Sequence, residues 1–517
     1  MASTLNKSVT LGTHGVTFDD VIAVARHGAK VTISPESVAA MDASRAFIES
    51  YAAGGVPVYG VSTGFGALAN RHIDVKDRTQ LQKSLIRSHA AGVGPAVEQE
   101  VVRALMFLRL RTMASGRTGV RVALAQTYAD FLNANITPVV PEFGSLGCSG
   151  DLAPLSHCAL AMMGEGRVHD ASGKEVAALD AIKAAGLKPI ELEAKEGLAL
   201  INGTDGMLGM LIMACADLTA LCTVADITAA MSIEGLLGTD RVFAPDLHAP
   251  LRPQVGQAVS AANIYALLQG SGIVASHLEN DSRVQDAYSL RCAPQVAGAV
   301  RDTIEYASTI AQRELSSSID NPVVLPDGRI ESNGNFHGAP VGYVLDFLAI
   351  AAADLGSMAE RRTDRALDQH RSSGLPPFLA HDPGVDSGLM IAQYTQAGLV
   401  SENKRLASPA SVDSIPSSAM QEDHVSMGWS AARKLRKVVE NLARILAIEL
   451  VTSARAIEFR TGLMPSPATA RVVKELRMVV PGVGPDRFLS PELEAAVILV
   501  QSGKVVAAAK EVIKDLR

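Results

Sequence analysis

Aromatic side chains are scarce in this sequence. Phe, Tyr and Trp make up 4% of 517 residues, with one tryptophan. A core of this size must then be filled by Ala, Leu, Val and Met, the usual filling of a long helical assembly. Charge is also slightly low, at 20%, which leaves room for surface buried between subunits. Lys plus Arg is 47 against 54 for Asp plus Glu, a net −7 without any basic run, so there is no electrostatic footprint for nucleic acid. The cysteines are five, an odd number with no CxxC pair, and neither a disulfide framework nor a zinc site is indicated. Cys215 and Cys222 stand seven apart in an apolar run and are expected as buried thiols on one helix face. There is no HExxH, and the twelve histidines are scattered, which speaks against a metal enzyme. The opening "MASTLNKSVTLGTHG" has no apolar core, so a cytoplasmic location is expected. No fixed-period repeat and no low-complexity segment is present.

What remains is 48% hydrophobic and strongly patterned. The first 60 residues alternate strand and helix signals, with Thr17 as a helix cap, then Ser34 as a cap before Pro35 at the first helical position. "VPVYGVSTGFGALAN" follows as a glycine-punctuated loop. From Lys76 onward apolar residues recur at three- and four-residue steps. The run Gly206–Gly238 is apolar nearly all round and long enough for a membrane span, but Asp217 and Asp226 fall inside it. Lipid penalises such acids, so the run is expected at the centre of a large bundle instead. Further long helices are predicted at Gln295–Leu315, Pro340–Gln369 and Ser418–Arg460, with a last pair at Thr469–Val479 and Pro491–Leu516. The predicted fold is mainly α. It has a long-helix bundle core over 204–517, expected to include the oligomerisation region, and a smaller mixed α/β N-terminal part over 1–203.

One loop carries unusual chemistry: "GSLGCSGDLAPLSH", residues 144–157. Within it, Gly150 has no side chain, so its nitrogen can approach the Cys148 carbonyl carbon more closely than another residue allows. Attack there closes a five-membered ring, and loss of the Ser149 hydroxyl leaves an exocyclic methylene. The product is an electrophile, a group that side chains do not otherwise supply. As a bare tripeptide, Cys-Ser-Gly is an ordinary turn. A serine hydrolase built on Ser149 is disfavoured, because 147–151 does not match the G-x-S-x-G elbow and no strand-rich α/β pattern surrounds it.

The longer string closely resembles the active-site signature of the aromatic amino acid ammonia-lyases. "VYGVSTGFG" (58–66), "LALINGT" (198–204), "QDAYSLRCAPQ" (285–295), "SIDNPVV" (318–324), "NGNFHG" (333–338) and "QEDHVSMG" (421–428) resemble further blocks of that family, in family order. The resemblance implies that Cys148, Ser149 and Gly150 form 4-methylidene-imidazole-5-one (MIO), a self-generated prosthetic group. Cys148 stands where the family most often has alanine; only its backbone carbonyl enters the ring. The implied reaction is elimination of ammonia from an α-amino acid, with the enzyme as electrophile.

The resemblance also assigns roles. Tyr59, in a loop freed by Gly60, Gly64 and Gly66, would take the β-proton. Free tyrosine titrates near ~10, so it needs a shift or a hydrogen bond. Arg291 would hold the substrate carboxylate through a two-pronged contact. Tyr288 and Gln285 would lie near the ring and the lid tyrosine. Asn202 would donate to the ring carbonyl, and Phe336 would pack near ring and substrate. Ser88 and His89 occupy the family's selectivity position. Glu422 stands where members acting on phenylalanine or tyrosine usually carry glutamine. A buried carboxylate needs a positive or donating partner, which an imidazole supplies and a phenyl ring does not. The expected small-molecule substrate is therefore L-histidine, with urocanate and ammonia as products and Glu422 also counted among the catalytic residues. Action on tyrosine or phenylalanine, a 2,3-aminomutase and a non-catalytic helical scaffold are the alternatives. The family implies a homotetramer; no nucleic-acid or membrane partner is expected.

Overall fold

A capping box starts the first helix of the computed structural model, which describes residues 8–53, 63–64, 71–279, 281 and 283–517. Thr17 Oγ accepts from the Asp20 amide at 3.2 Å, and Asp20 Oδ2 accepts from the Thr17 amide at 3.0 Å, ahead of Phe18–His27. The second helix, Pro35–Ala53, begins the same way, with the Ser37 amide donating to Ser34 Oγ at 3.1 Å. The short strands Ser8–Leu11 and Lys30–Ile33, one ahead of each helix, pair in parallel. The remaining strands are small antiparallel pieces. Helices dominate the rest.

The chain forms two compact units, neither of them one stretch of sequence. The first comprises Met1–Met213, Ser308–Asp346 and Pro409–Arg433; the second comprises Ala214–Ala307, Phe347–Ser408 and Lys434–Arg517. In the first, helix Gln99–Ala114 is the hub: every residue from Val101 to Ala114 is buried, Arg103, Arg109 and Arg111 included. The second holds the greater part of the long helices Asp205–Gly235, Ala293–Leu315, Ala339–Leu367 and Gly428–Glu458. Its centre is not purely apolar. Arg362 pairs with Glu449, both about 1% exposed, and Glu449 also accepts from Thr228 and Ser232 at 2.7 and 2.9 Å.

Two of the described helices, Asp205–Gly235 and Ala339–Leu367, are long and apolar enough to cross a membrane, and most of each apolar stretch is buried inside the protein. The acids of Asp205–Gly235 explain why it belongs to a bundle. Asp217 accepts from Arg436 at 3.0 Å. Asp226 accepts from Arg301 at 2.8 Å and Asn263 at 2.9 Å. The buried Asp226 carboxylate is thus paired, as burial demands, and the partly exposed Asp217 is paired as well. Cys215 and Cys222 are both buried and neither is in a disulfide.

Two predicted helices are corrected. The predicted Ser418–Arg460 starts only at Gly428. Ser418, Ala419, Met420 and Met427 all adopt left-handed backbone, and Ser417 and Glu422 bond each other's backbone across a tight turn. The predicted Pro491–Leu516 is two short helices, broken where Gly503 takes φ +75°. In both places apolar periodicity ran on through residues whose backbone leaves the helical region.

Candidate active site

The tripeptide lies between strand Pro141–Phe143 and helix Leu152–Met162. Gly150 adopts φ +78°, and a Cβ on it would fall 2.0 Å from the Gly203 carbonyl oxygen. Only glycine fits there. The next residue anchors the turn. The Asp151 amide donates to the Gly203 carbonyl at 2.7 Å. Its carboxylate accepts from Ser145 Oγ at 3.0 Å and from the Gly206 and Met207 amides at 2.9 Å each. Those last two amides open helix Asp205–Gly235, so the contact also meets the positive end of a helix.

Asp151 is fully buried, and burial pushes its carboxyl up to about 7; the Met207, Ser145 and Gly206 bonds pull it back only in part. A carboxyl raised in the folded state stabilises the fold at low pH, and that contribution is lost as pH rises from about 4 towards 7. Asp151→Asn should flatten this slope. In thermal melts between pH ~5 and ~7.5 the variant is expected to lose less melting temperature than wild type; equal slopes would show that Asp151 does not titrate there.

Beside the tripeptide opens a cleft of about 410 Å³, lined within the first unit by Ser149, Asn202, Ser88, His89 and Glu422. These come from separate elements: helix Arg78–His89, the tripeptide turn, the end of helix Glu196–Ile201 and the loop ahead of helix Gly428–Glu458. Ser88 Oγ donates to the Leu85 carbonyl at 3.0 Å and lies 3.0 Å from His89 Nδ1. Its one proton being committed, it accepts from Nδ1, which leaves Nε2 bare as an acceptor. Burial lowers the His89 pKa, outweighing the Leu85 carbonyl and the Glu422 charge, so the ring is neutral at neutral pH. Glu422 is held by a bond from Ser417 Oγ at 3.0 Å.

Cys148 is buried, and its thiol is pushed up to about 12 by burial, by the Glu422 charge and by a hydrogen bond to that carboxylate. It remains a thiol at neutral pH, a donor to Glu422 rather than a nucleophile. Asn202 donates through Nδ2 to the Asn321 carbonyl at 2.8 Å, while its buried Oδ1 has no partner. An amide nitrogen has two protons, so one remains for a further acceptor.

Tyr59, Gly60 and Gly66 are outside the described residues; Gly64 lines the cleft. Phe336 is half-buried in the turn before helix Ala339–Leu367 and is not among the cleft-lining residues. Gln285, Tyr288 and Arg291 belong to the second unit. There Tyr288 is exposed, with the Arg291 guanidinium 4.7 Å above its ring, and Arg291 Nε is buried without a hydrogen bond. The cleft also uses residues that the sequence reading missed: Arg71, Asn321 and Ser418. Asn321 lay inside a quoted block, "SIDNPVV", and could have been singled out; Arg71 and Ser418 carried no local signal.

The residues present fit the group implied for this loop. Gly150 brings no side chain to the closure, Ser149 lines a cleft able to hold a small amino acid, and one Asn202 Nδ2 proton remains uncommitted beside it. Comparison with known proteins agrees. The family model for aromatic amino acid lyase matches residues 16–478. A histidine ammonia-lyase of Streptomyces coelicolor is 65% identical over 99% of this chain and 100% of its own length. One from Sorangium cellulosum is 48% identical over 96% and 98%. Among solved structures, histidine ammonia-lyase from Trypanosoma cruzi superposes with a TM-score of 0.90 at 39% identity, covering 98% of this chain and 95% of that one. A tyrosine aminomutase from Streptomyces globisporus gives 0.92 at 38%, covering 98% of each. With its likeness carried over nearly the whole length and its serine-bearing turn set at a polar cleft, the chain belongs to the aromatic amino acid lyase family.

Proposed function

We propose that this protein eliminates ammonia from L-histidine, leaving urocanate, with MIO formed from Cys148, Ser149 and Gly150. The observation that carries the substrate is the pairing of Glu422 with neutral His89 around the cleft that Ser149 enters. A phenyl ring would add no donor to that carboxylate beyond Ser417 Oγ and the Cys148 thiol, whereas an imidazole N–H supplies one. The 65% identity to a histidine ammonia-lyase supports the same reading.

When formed by Cys148, Ser149 and Gly150, the ring would supply an electron-poor alkene, the electrophile needed to make the substrate amine a better leaving group. The chain's own residues do the rest. Glu422 and His89 orient the imidazole, and Asn202 Nδ2 donates to charge developing on the ring carbonyl oxygen. Tyr59 Oη takes the β-proton. Arg291 binds the carboxylate, with Tyr288 and Gln285 beside it; Phe336 packs against the substrate. We place these last residues in the site through a homotetramer, in which each site is assembled from more than one chain. Exposed apolar residues on the long helices support such an assembly: Phe347 and Ile350 on Ala339–Leu367, Ile391 and Tyr394 on Met390–Leu406. Much of 204–517 would then serve subunit contact, in a cytoplasmic enzyme.

The likeness to a tyrosine aminomutase makes product analysis the decisive test. Incubation with L-histidine is expected to release ammonia and urocanate in equal amounts. Coumarate or cinnamate from tyrosine or phenylalanine at a higher kcat/KM, or a β-amino acid in place of urocanate, would overturn the assignment. Absence of turnover with all three would favour the scaffold alternative.

A further inference from the structure

Behind the tripeptide the chain is stacked in three layers with no side chain between the first two. Gly150 packs on the Gly203 carbonyl, and the two residues form an isolated parallel bridge. Gly203 in turn packs on the Arg109 guanidinium: a Cβ there would meet Arg109 Nη1 at 2.7 Å and Asp205 Oδ2 at 2.5 Å. Arg109 is fully buried on helix Gln99–Ala114. Its fork spans two distant segments, Nη1 donating to the Asn202 carbonyl at 2.7 Å and Nη2 to the Ile319 carbonyl at 2.7 Å. Asp205 Oδ2 stands 3.5 Å from Nε as counter-charge. Beside it, the buried Lys195–Asp320 pair leads into the same wall, since Asp320 Oδ1 accepts from the Asn321 amide at 2.8 Å.

Buried ion pairs are poor sources of stability; well-packed apolar residues of similar volume do as well or better. A guanidinium does one thing here that an apolar side chain cannot. Its planar fork ties two carbonyls in a fixed relation, and one of them, that of Asn202, belongs to the peptide directly preceding the Gly203 carbonyl that Gly150 leans on.

We infer that Arg109 is a positioning residue for ring formation: by holding the Asn202–Gly203 peptide it fixes the adjoining Gly203 carbonyl, the rigid wall that keeps the Gly150 nitrogen against the Cys148 carbonyl carbon. The inference rests on the MIO reading above. In the step concerned, the Gly150 nitrogen bonds to the Cys148 carbonyl carbon. The carbonyl oxygen leaves as water with one proton from each of the Gly150 and Ser149 nitrogens, and a C=N bond forms between Cys148 and Ser149. A second water takes the Ser149 hydroxyl and its α-hydrogen. No other reactant is consumed. Crowding promotes this closure only while the wall cannot retreat, and the clamp from Arg109 to residues 202 and 319 is what stops it.

The test is peptide mass on the purified full-length chain. In wild type, the peptide spanning 144–157 is expected to lack two waters. In soluble, helical Arg109→Gln and Arg109→Lys, the cyclised fraction is expected to fall about tenfold to a hundredfold, the scale of a misplaced reacting pair. Turnover per cyclised site should change little. Lysine retains the charge but cannot span both carbonyls, so it distinguishes geometry from charge even where the glutamine variant does not fold. Gly203→Ala, which pushes the wall itself, should lower cyclisation likewise. Variants that melt earlier yet are fully cyclised would give Arg109 a purely structural role and overturn the inference. A wild-type peptide of unmodified mass in active enzyme would instead bring down the MIO reading, a separate failure.

Discussion

Ser149→Ala is expected to leave a folded protein whose conversion of L-histidine to urocanate falls by roughly 10³-fold or more, the scale on which removal of a covalent catalytic group acts. The serine lines the cleft, and its neighbours on both sides are fixed: Cys148 is buried against Glu422, and Gly150 lies on Gly203. Removing one oxygen therefore creates no cavity and breaks none of the anchoring bonds made by Asp151. What it removes is the leaving hydroxyl, so the peptide spanning 144–157 can lose at most one water. Two readouts follow: urocanate absorbance and peptide mass. Full activity in the variant would end the electrophile hypothesis whatever the mass shows.

Glu422→Gln should change which substrate is preferred more than whether the enzyme works. The carboxylate accepts from Ser417 Oγ and faces the Cys148 thiol and His89. Glutamine retains the size and one acceptor but loses the charge. A hydrogen bond to a charged group contributes about 1.5–3 kcal/mol, so kcat/KM for L-histidine is expected to drop roughly 10- to 100-fold. Phenylalanine, whose ring offers the carboxylate no donor, should lose nothing. The variant should also loosen the hold on the Cys148 proton, because a negative neighbour is gone. Burial, the larger cause of that shift, remains, so the thiol should stay poorly reactive towards alkylating agents. An unchanged preference for histidine over phenylalanine would remove Glu422 from substrate recognition.

Local signals in the chain were read well. The caps at Thr17 and Ser34 act over three residues, and both start helices as predicted. The long apolar runs became long helices because burying a stripe that recurs every three or four residues is itself a local geometric requirement. The exceptions are instructive. Between Ser418 and Met427 the residues alone would continue a helix, but the Ser417–Glu422 turn and four left-handed residues win. That loop is what delivers Glu422 and Ser418 to the cleft; a helix begun at 418 would present different neighbours.

The buried charges were the larger blind spot. Arg109 looks like any arginine in an amphipathic helix, and Lys195 like any loop lysine. Nothing within four residues of either indicates that one supports the Gly203 wall and the other pairs with Asp320 in a dry interior. Arg71 entered the cleft just as silently.

By itself, then, the amino-acid order determined the helical class, most helix starts and the chemistry open to residues 148–150, because caps, periodicity and a side-chain-free nitrogen all act within a few bonds. Only tertiary packing decided that Ser88, His89, Ser149, Asn202 and Glu422 share one cleft, and that Arg109 lies beneath it. Those residues are brought together across hundreds of positions by the burial of whole helices. Such convergence depends on how faces pack against one another, which no single stretch of sequence encodes.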